Sequence, residues 1–212
     1  AVISADPYVQ KNLLRPYMTT QQLDNLPYQD LDLYDIWRYR NPRIIVKSHP
    51  CIQFETSRGC PFGCDFCSAE DVYRTFSPDR VIEELKYYKR YGIRELRISD
   101  DQFLVNIKRG ETIAEKILSA NLCFDINLGN GVRADRCTRK FLELFRQAGL
   151  YRIGAGFESG DQDALNSMGK SLTIQESLDT MKLLKEVGVV VEGFFIFGAE
   201  RETPVSMQRT ID

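Results

Sequence analysis

Cys51-Ile52-Gln53-Phe54-Glu55-Thr56-Ser57-Arg58-Gly59-Cys60-Pro61-Phe62-Gly63-Cys64-Asp65-Phe66-Cys67 begins with strand-forming residues and ends in three cysteines spaced C-x3-C-x2-C. A loop that follows a strand lies beyond its carboxyl end, where α/β folds bind their ligands. Three thiolates hold three irons of a [4Fe–4S] cube whose usual complement is four, and no fourth cysteine follows nearby. The remaining iron would keep open coordination sites, able to bind a small molecule while the cluster carries electrons. A Cys3His zinc site is a second reading, since His49 is the chain's only histidine. A simple ferredoxin would show C-x2-C-x2-C-x3-C, and the first gap here is one residue longer. No apolar signal segment opens the sequence, which points to a reducing compartment and away from disulfides. Cys51, Cys123 and Cys137 fall in or beside expected strands or at a helix start and read as small buried side chains.

Outward from this stretch, strand and helix signals alternate. Ile44-Ile45-Val46 and Cys51-Ile52-Gln53-Phe54 read as strands before the cysteines. Ser77 as N-cap, Pro78 at the first helical position and Gly92 as stop predict a helix with Val81, Ile82, Leu85 and Tyr88 on its apolar face. Ile93 to Ser99 follows as a strand, then an amphipathic segment around Ile113, Ala114, Ile117 and Leu118, and an alternating strand of Phe124, Ile126 and Leu128. Phe141, Leu142, Leu144, Phe145 and Ala148 mark a helix closed by Gly149, and Tyr151 to Gly156 a strand. Thr173 with Glu176 forms a capping box, with Ile174, Leu178, Met181, Leu184 and Val187 expected toward the core. Val189-Val190-Val191 and Phe194-Phe195-Ile196-Phe197 read as a buried parallel strand, and Thr203-Pro204 caps a further helix. About five βα units in series imply an α/β fold with a parallel sheet, curved into a barrel or doubly wound. Residues 1–42, rich in Asp, Tyr, Pro and Gln, read as an extended lead-in, and 43–212 as the core domain.

The 212 residues are 43% hydrophobic and 27% charged with formal net charge −2, enough for one substantial core. No run of 18 apolar residues offers a membrane span, and the balanced charge gives no footprint for nucleic acid.

Polar tracts follow each strand: the cysteine loop, Ser99-Asp100-Asp101-Gln102-Phe103, Asn127-Leu128-Gly129-Asn130-Gly131-Val132-Arg133, Phe157-Glu158-Ser159-Gly160, and Gly198-Ala199-Glu200-Arg201-Glu202-Thr203. In a parallel sheet all five converge on one face. With Thr56-Ser57-Arg58-Gly59-Cys60-Pro61 and the cysteine spacing, they resemble the radical S-adenosylmethionine (SAM) superfamily, in its branch with an upstream cobalamin-binding domain. Asp100-Asp101-Gln102-Phe103 resembles that branch's DDxF tract, Arg133-Ala134-Asp135 its RVD tract, and Gly156-Phe157-Glu158-Ser159-Gly160 its GIESG. Phe194 to Thr203 is similar to GFFILGLPGET, with Ala199, Glu200 and Arg201 in place of Leu, Pro and Gly. Leu23 to Asp30 resembles the LDxLPxPD bridge that precedes the domain.

The resemblance implies a partial (β/α)6 TIM-like barrel, C-terminally incomplete, with a [4Fe–4S] cluster on Cys60, Cys64 and Cys67. It implies that SAM chelates the fourth iron through its amine and carboxylate, and that an electron from the cluster breaks the S–C5′ bond to release a 5′-deoxyadenosyl radical. Phe66 offers a face for adenine. Arg133 can pair with the methionine carboxylate, and Glu158 or Asp100 can accept from the ammonium or ribose, with Asp101 beside them. The activity implied is C–H activation on a small-molecule substrate in an anaerobic cytoplasm, fed by a low-potential flavodoxin- or ferredoxin-type donor. Its outcome would be cobalamin-dependent methyl transfer, or else cyclisation or rearrangement. The D-x-H-x-x-G cobalamin tract is absent, so a cobalamin domain would lie upstream of Ala1. A non-enzymatic electron-transfer protein and a zinc-stabilised interaction module are the readings from other classes.

Overall fold

The computed structural model describes residues 17–212, so the first part of the lead-in lies outside the described residues. Seven strands run in chain order: β1 (Cys51–Phe54), β2 (Ser57–Arg58), β3 (Arg74–Thr75), β4 (Glu95–Ile98), β5 (Asp125–Arg133), β6 (Leu150–Glu158) and β7 (Val190–Phe195). The helices are α1 (Thr20–Asp24), α2 (Pro78–Arg90), α3 (Ile107–Ser119), α4 (Arg139–Gln147), α5 (Gln162–Ser167), α6 (Ile174–Val187) and α7 (Pro204–Ile211). β1, β4, β5, β6 and β7 form an all-parallel sheet in that order, while β2 and β3 make a small antiparallel ribbon. Strand order never reverses, so the sheet winds one way. This is the arrangement of a barrel wall rather than of a doubly wound sheet, and it settles the fold as a partial (β/α) barrel.

The two faces of the sheet differ because strand side chains alternate. Ile52, Phe54, Leu96, Ile98, Ile126, Leu128 and Ile153 are buried with Val81, Leu85, Tyr88, Ile113, Ile117, Phe141 and Phe145 of the helices. Full burial of each such side chain is worth roughly 1.5–3 kcal/mol. On the inner face, Gln53, Arg97, Asn127 and Arg152 are register partners in a polar layer across four strands. The expected caps form: Ser77 accepts from the Arg80 amide, and the Thr173–Glu176 capping box closes at both bonds.

Several expectations are corrected. Ile44-Ile45-Val46 is not a strand: the Ile45 and Val46 amides turn back onto the Pro42 carbonyl (2.9 and 3.2 Å), and Val46 is buried. The Lys47 and Ser48 amides then donate to Glu95, both at 2.7 Å, so the segment crosses the amino ends of the strands. The lead-in is not simply extended either. It contains α1 and is fixed by Arg80, which stacks on Tyr28 (3.8 Å) and donates to the Asp24 and Leu26 carbonyls (3.1 and 3.0 Å). Among the described residues β7 pairs only with β6, and Val190, Phe195 and Phe197 are exposed rather than buried. α6 turns Ser177, Thr180 and Leu184 inward, because Thr180 donates to the Ala134 carbonyl (2.8 Å); Leu178 and Met181 are therefore exposed. Of the three lone cysteines, Cys137 is buried, Cys51 half-buried and Cys123 exposed.

Candidate active site

The cysteine loop is held from behind by the two aspartates that follow β4. Asp100, fully enclosed, accepts from the Thr56 amide (2.5 Å), the Thr56 hydroxyl (2.6 Å) and the Ser57 hydroxyl (2.5 Å). Burial pushes its carboxyl above the ordinary range, against the pull of these donors and of Arg109. Asp101 accepts from the Gly59 amide at 2.7 Å. Gly59 has φ +79°, and a Cβ there would stand 2.2 Å from the Val72 carbonyl oxygen, so only glycine fits. The Cys60 amide donates to Glu70 O (2.7 Å), and the Cys67 amide to Cys64 O (3.0 Å), which closes the turn between the last two cysteines.

Cys60, Cys64 and Cys67 line one cavity of about 160 Å³ together with Phe62, Phe66, Asp101, Asn130, Arg133, Glu158 and Lys170. A larger hollow of about 460 Å³ at the opposite end of the sheet gathers no comparable set of converging polar groups. The cavity wall depends on an irregularity at the end of β6. A register shift at Phe157 turns Glu158 into left-handed backbone at φ +64°, an uncommon conformation for a residue with a side chain and a frequent sign of a functional position. There the buried Glu158 carboxylate meets the Lys170 ammonium at 2.7 Å, both side chains less than a tenth exposed. Gly156 makes room for the pair, since a Cβ there would stand 2.4 Å from Glu158 Oε1 and 2.9 Å from Lys170 Nζ. Lys170 also lies 5.9 Å from the centre of the half-exposed Phe66 ring. The loop carrying it docks on the cysteine loop through the Asp65 amide and Met168 O (3.1 Å).

Arg133 is buried with its guanidinium 3.0 Å from Asp135, 4.4 Å from the Phe62 ring centre and 3.9 Å from Cys64 Sγ. It brings positive charge to where thiolates would form. Burial pushes the Cys60 thiol up, and it pushes Cys51 and Cys137 up to about 12 each. The three loop cysteines, Phe66, Asp101, Arg133 and Glu158 are thus brought to one cavity, while Asp100 stands behind it and anchors the loop. Lys170 was not among the residues expected from sequence. It follows Glu158 by twelve residues, beyond a short helix, with no periodic or motif signal to join them.

The donor set fits a cluster and not a Cys3His zinc ion. His49 precedes β1 and the cysteines follow it, so four strand residues, about 13 Å of chain, separate them. The thiols face a shared cavity instead.

Residues 54–212 match the model of the family described as the Radical SAM superfamily. A Pyrococcus horikoshii protein described as an uncharacterized methyltransferase is 33% identical over 92% of this chain and 42% of its own length. The anaerobic magnesium-protoporphyrin IX monomethyl ester cyclase of Rubrivivax gelatinosus is 30% identical over 73% of this chain and 28% of its own. The chain thus spans less than half the length of these relatives. In fold it is similar to the radical S-adenosylmethionine methyltransferase TsrM of Kitasatospora setae, solved with cobalamin and a [4Fe–4S] cluster bound. That match has TM-score 0.69 and 17% identity, over 75% of this chain and 33% of the other.

Proposed function

The chain belongs to the radical SAM superfamily, and we propose that it forms the SAM-cleaving core of an enzyme that activates C–H bonds. The observation that carries this reading is the meeting of Cys60, Cys64 and Cys67 with Glu158, Lys170 and Arg133 around one cavity at the carboxyl ends of the strands. Cys60, Cys64 and Cys67 would hold a [4Fe–4S] cluster. When bound, it supplies the electron for reductive cleavage of SAM and an open iron for its amino-acid end.

The protein's own part is binding, orientation and exclusion of water. Glu158 and Lys170 present opposite charges to a zwitterionic amino-acid moiety, and Arg133 adds a guanidinium suited to a carboxylate. Phe66 offers a ring face for adenine, and Asp101 an acceptor already aligned by Gly59. Glycines at 131 and 156 let a ligand approach bare backbone. Asp100, through Thr56 and Ser57, keeps the loop in place and does not face the ligand.

Methyl transfer is the outcome we favour, because a relative aligned over 92% of this chain is described as an uncharacterized methyltransferase. Cobalamin would be held by residues outside this chain, since the chain has no D-x-H-x-x-G tract. The substrate is a small molecule, the reductant a low-potential flavodoxin- or ferredoxin-type protein, and the setting an anaerobic cytoplasm. Anaerobic reconstitution with iron and sulfide, followed by dithionite and SAM, tests the reading. Release of 5′-deoxyadenosine is expected; stoichiometric zinc with no charge-transfer absorption, or a cluster that leaves SAM intact, would overturn it.

A further inference from the structure

Not every basic group around the cysteine loop belongs to the cavity. Phe62, between Cys60 and Cys64, has two guanidiniums near its ring, Arg133 at 4.4 Å from the ring centre and Arg136 at 5.9 Å. Arg133 is buried, lines the cavity and pairs with Asp135 at 3.0 Å. Arg136 is partly exposed and is not part of the cavity wall. Carbonyls fix its guanidinium: Nε donates to Leu104 O (3.4 Å) and Nη2 to Val105 O (3.2 Å). Three residues after Val105, exposed Lys108 lies in the first turn of α3. The acids closest to these two cations in sequence are engaged elsewhere, Asp135 with Arg133 and Glu111 with Lys140 (2.5 Å). Among the described residues neither Arg136 nor Lys108 pairs with a carboxylate. This flank of the loop therefore carries uncompensated positive charge, although the chain's formal net charge is −2.

Further along, the loop has the opposite sign, with Asp65, Glu70 and Asp71 all exposed. Its tip beside Phe62 is open: Pro61 and Gly63 are exposed, and a Cβ added at Gly63 would meet nothing within 4 Å. Electron transfer weakens steeply with distance, so a protein that reduces a cluster on Cys60, Cys64 and Cys67 must touch this loop. The inner side of the loop faces the ligand cavity, which leaves the outer tip for the donor. Two free cations are too few to track a phosphate backbone. They suit the charged rim of a small, transient contact between proteins, where complementary charge steers the encounter.

We propose that Pro61, Phe62 and Gly63, with Arg136 and Lys108, form the docking surface for the reductant, a small acidic electron-transfer protein. The proposal rests on the reading of the three cysteines as cluster ligands. Carboxylates around the donor's flavin or cluster meet Arg136 and Lys108, and the bare tip at Gly63 lets that group come close to Cys60 and Cys64. The transfer is a single electron: the donor is oxidised by one electron, the cluster is reduced by one, and no bond breaks.

Two measurements on the reconstituted protein test this surface. Calorimetry reads binding of an oxidised flavodoxin and an oxidised ferredoxin. Stopped-flow bleaching of the cluster's visible absorption reads reduction by each reduced protein and by dithionite. At least one of the two proteins should bind and reduce the cluster. Arg136→Glu should slow that reduction about tenfold and Lys108→Glu about threefold, with binding weakened in parallel, whereas Arg136→Lys should stay near the parent. Asp71→Asn, outside the basic flank, should be reduced at least as fast as the parent. Salt at about 0.5 M should slow the parent and erase most of the difference. Dithionite should bleach every variant at the parent's rate. Reduction and binding unmoved by Arg136→Glu and Lys108→Glu, or slowed equally with dithionite, overturn the surface, as does a parent that neither protein binds or reduces. Iron content and circular dichroism check each variant, and Arg136→Gln, which keeps donors for the Leu104 and Val105 carbonyls, replaces any charge reversal that loses iron. A parent that assembles no cluster fails the earlier reading instead, and the binding titration still decides the docking surface.

Discussion

At the amino ends of the strands the acids Glu95 and Asp125 are saturated, whereas at the carboxyl end of β6 the buried Glu158 is not. Glu95 takes the Lys47 and Ser48 amides at 2.7 Å each and the Tyr151 hydroxyl at 2.8 Å; Asp125 takes Lys47 Nζ at 2.6 Å and Ser48 Oγ at 2.5 Å. Across the sheet, Glu158 has a single side-chain bond, from Lys170, on one oxygen, and it stands in left-handed backbone beside bare glycine. The same residue types thus close one end of the barrel and leave capacity for a ligand at the other. Polar groups that must hold a fold are paired within it, while those that await a partner carry strain and incomplete bonding.

The largest effect that would break this contrast lies in the loop. Cys60→Ala, Cys64→Ala and Cys67→Ala should each abolish the cluster, because two thiolates do not hold the cube. Cys51→Ser, Cys123→Ser and Cys137→Ser should keep it. Iron and sulfide analysis with visible absorption reads both sets, and loss of the cluster in any of the second set would mean that a ligand lies outside the loop.

Next is the Glu158–Lys170 pair. Glu158→Gln alone strands a buried ammonium and should cost about 3–5 kcal/mol in urea unfolding. Glu158→Gln combined with Lys170→Met removes both charges and should regain most of that stability. SAM affinity should nevertheless stay weaker than the parent's by about 1–3 kcal/mol. A double variant that binds SAM as tightly as the parent would reduce the pair to a structural tie and erase the difference between the two ends.

Much of this contrast was legible in the sequence wherever it depends on local chemistry. The Thr173–Glu176 box, the Ser77–Pro78 helix start and the cysteine spacing are encoded within a few residues, and the two helix starts form as expected. Distant partners were not legible. Ile44-Ile45-Val46 has strand composition, but its path is fixed by Glu95, 48 residues beyond Lys47. Leu178 and Met181 fit the apolar repeat of α6, yet the Thr180 bond to Ala134 O rotates that strip outward. Glu158 could be named from its tract. Lys170 could not, because the two meet only through the irregularity at Phe157 that aims the carboxylate toward the cavity.

The smallest effect concerns the closed end and its response to pH. Burial tends to raise the Asp125 carboxyl, but hydrogen bonds from Lys47 and Ser48, with the Lys47 charge, outweigh it and hold the group below its ordinary value. A carboxyl with a depressed folded value contributes stability that is fully present above its unfolded value of about 3.9. That contribution is lost as pH falls through the folded value. Lys47 is more than half exposed, so solvent screens the pair and its contribution is about 0.5 kcal/mol. Asp125→Asn should therefore be less stable than the parent by that amount at about pH 7, and the gap should close progressively as the pH drops below about 4. Added salt should narrow the gap at neutral pH, because the lysine lies at the surface. Urea unfolding of parent and variant across this range measures it. A gap that persists unchanged into acid would show that Asp125 acts through the neutral hydrogen bond to Ser48 rather than through charge, and that the amino end is closed by hydrogen bonding alone.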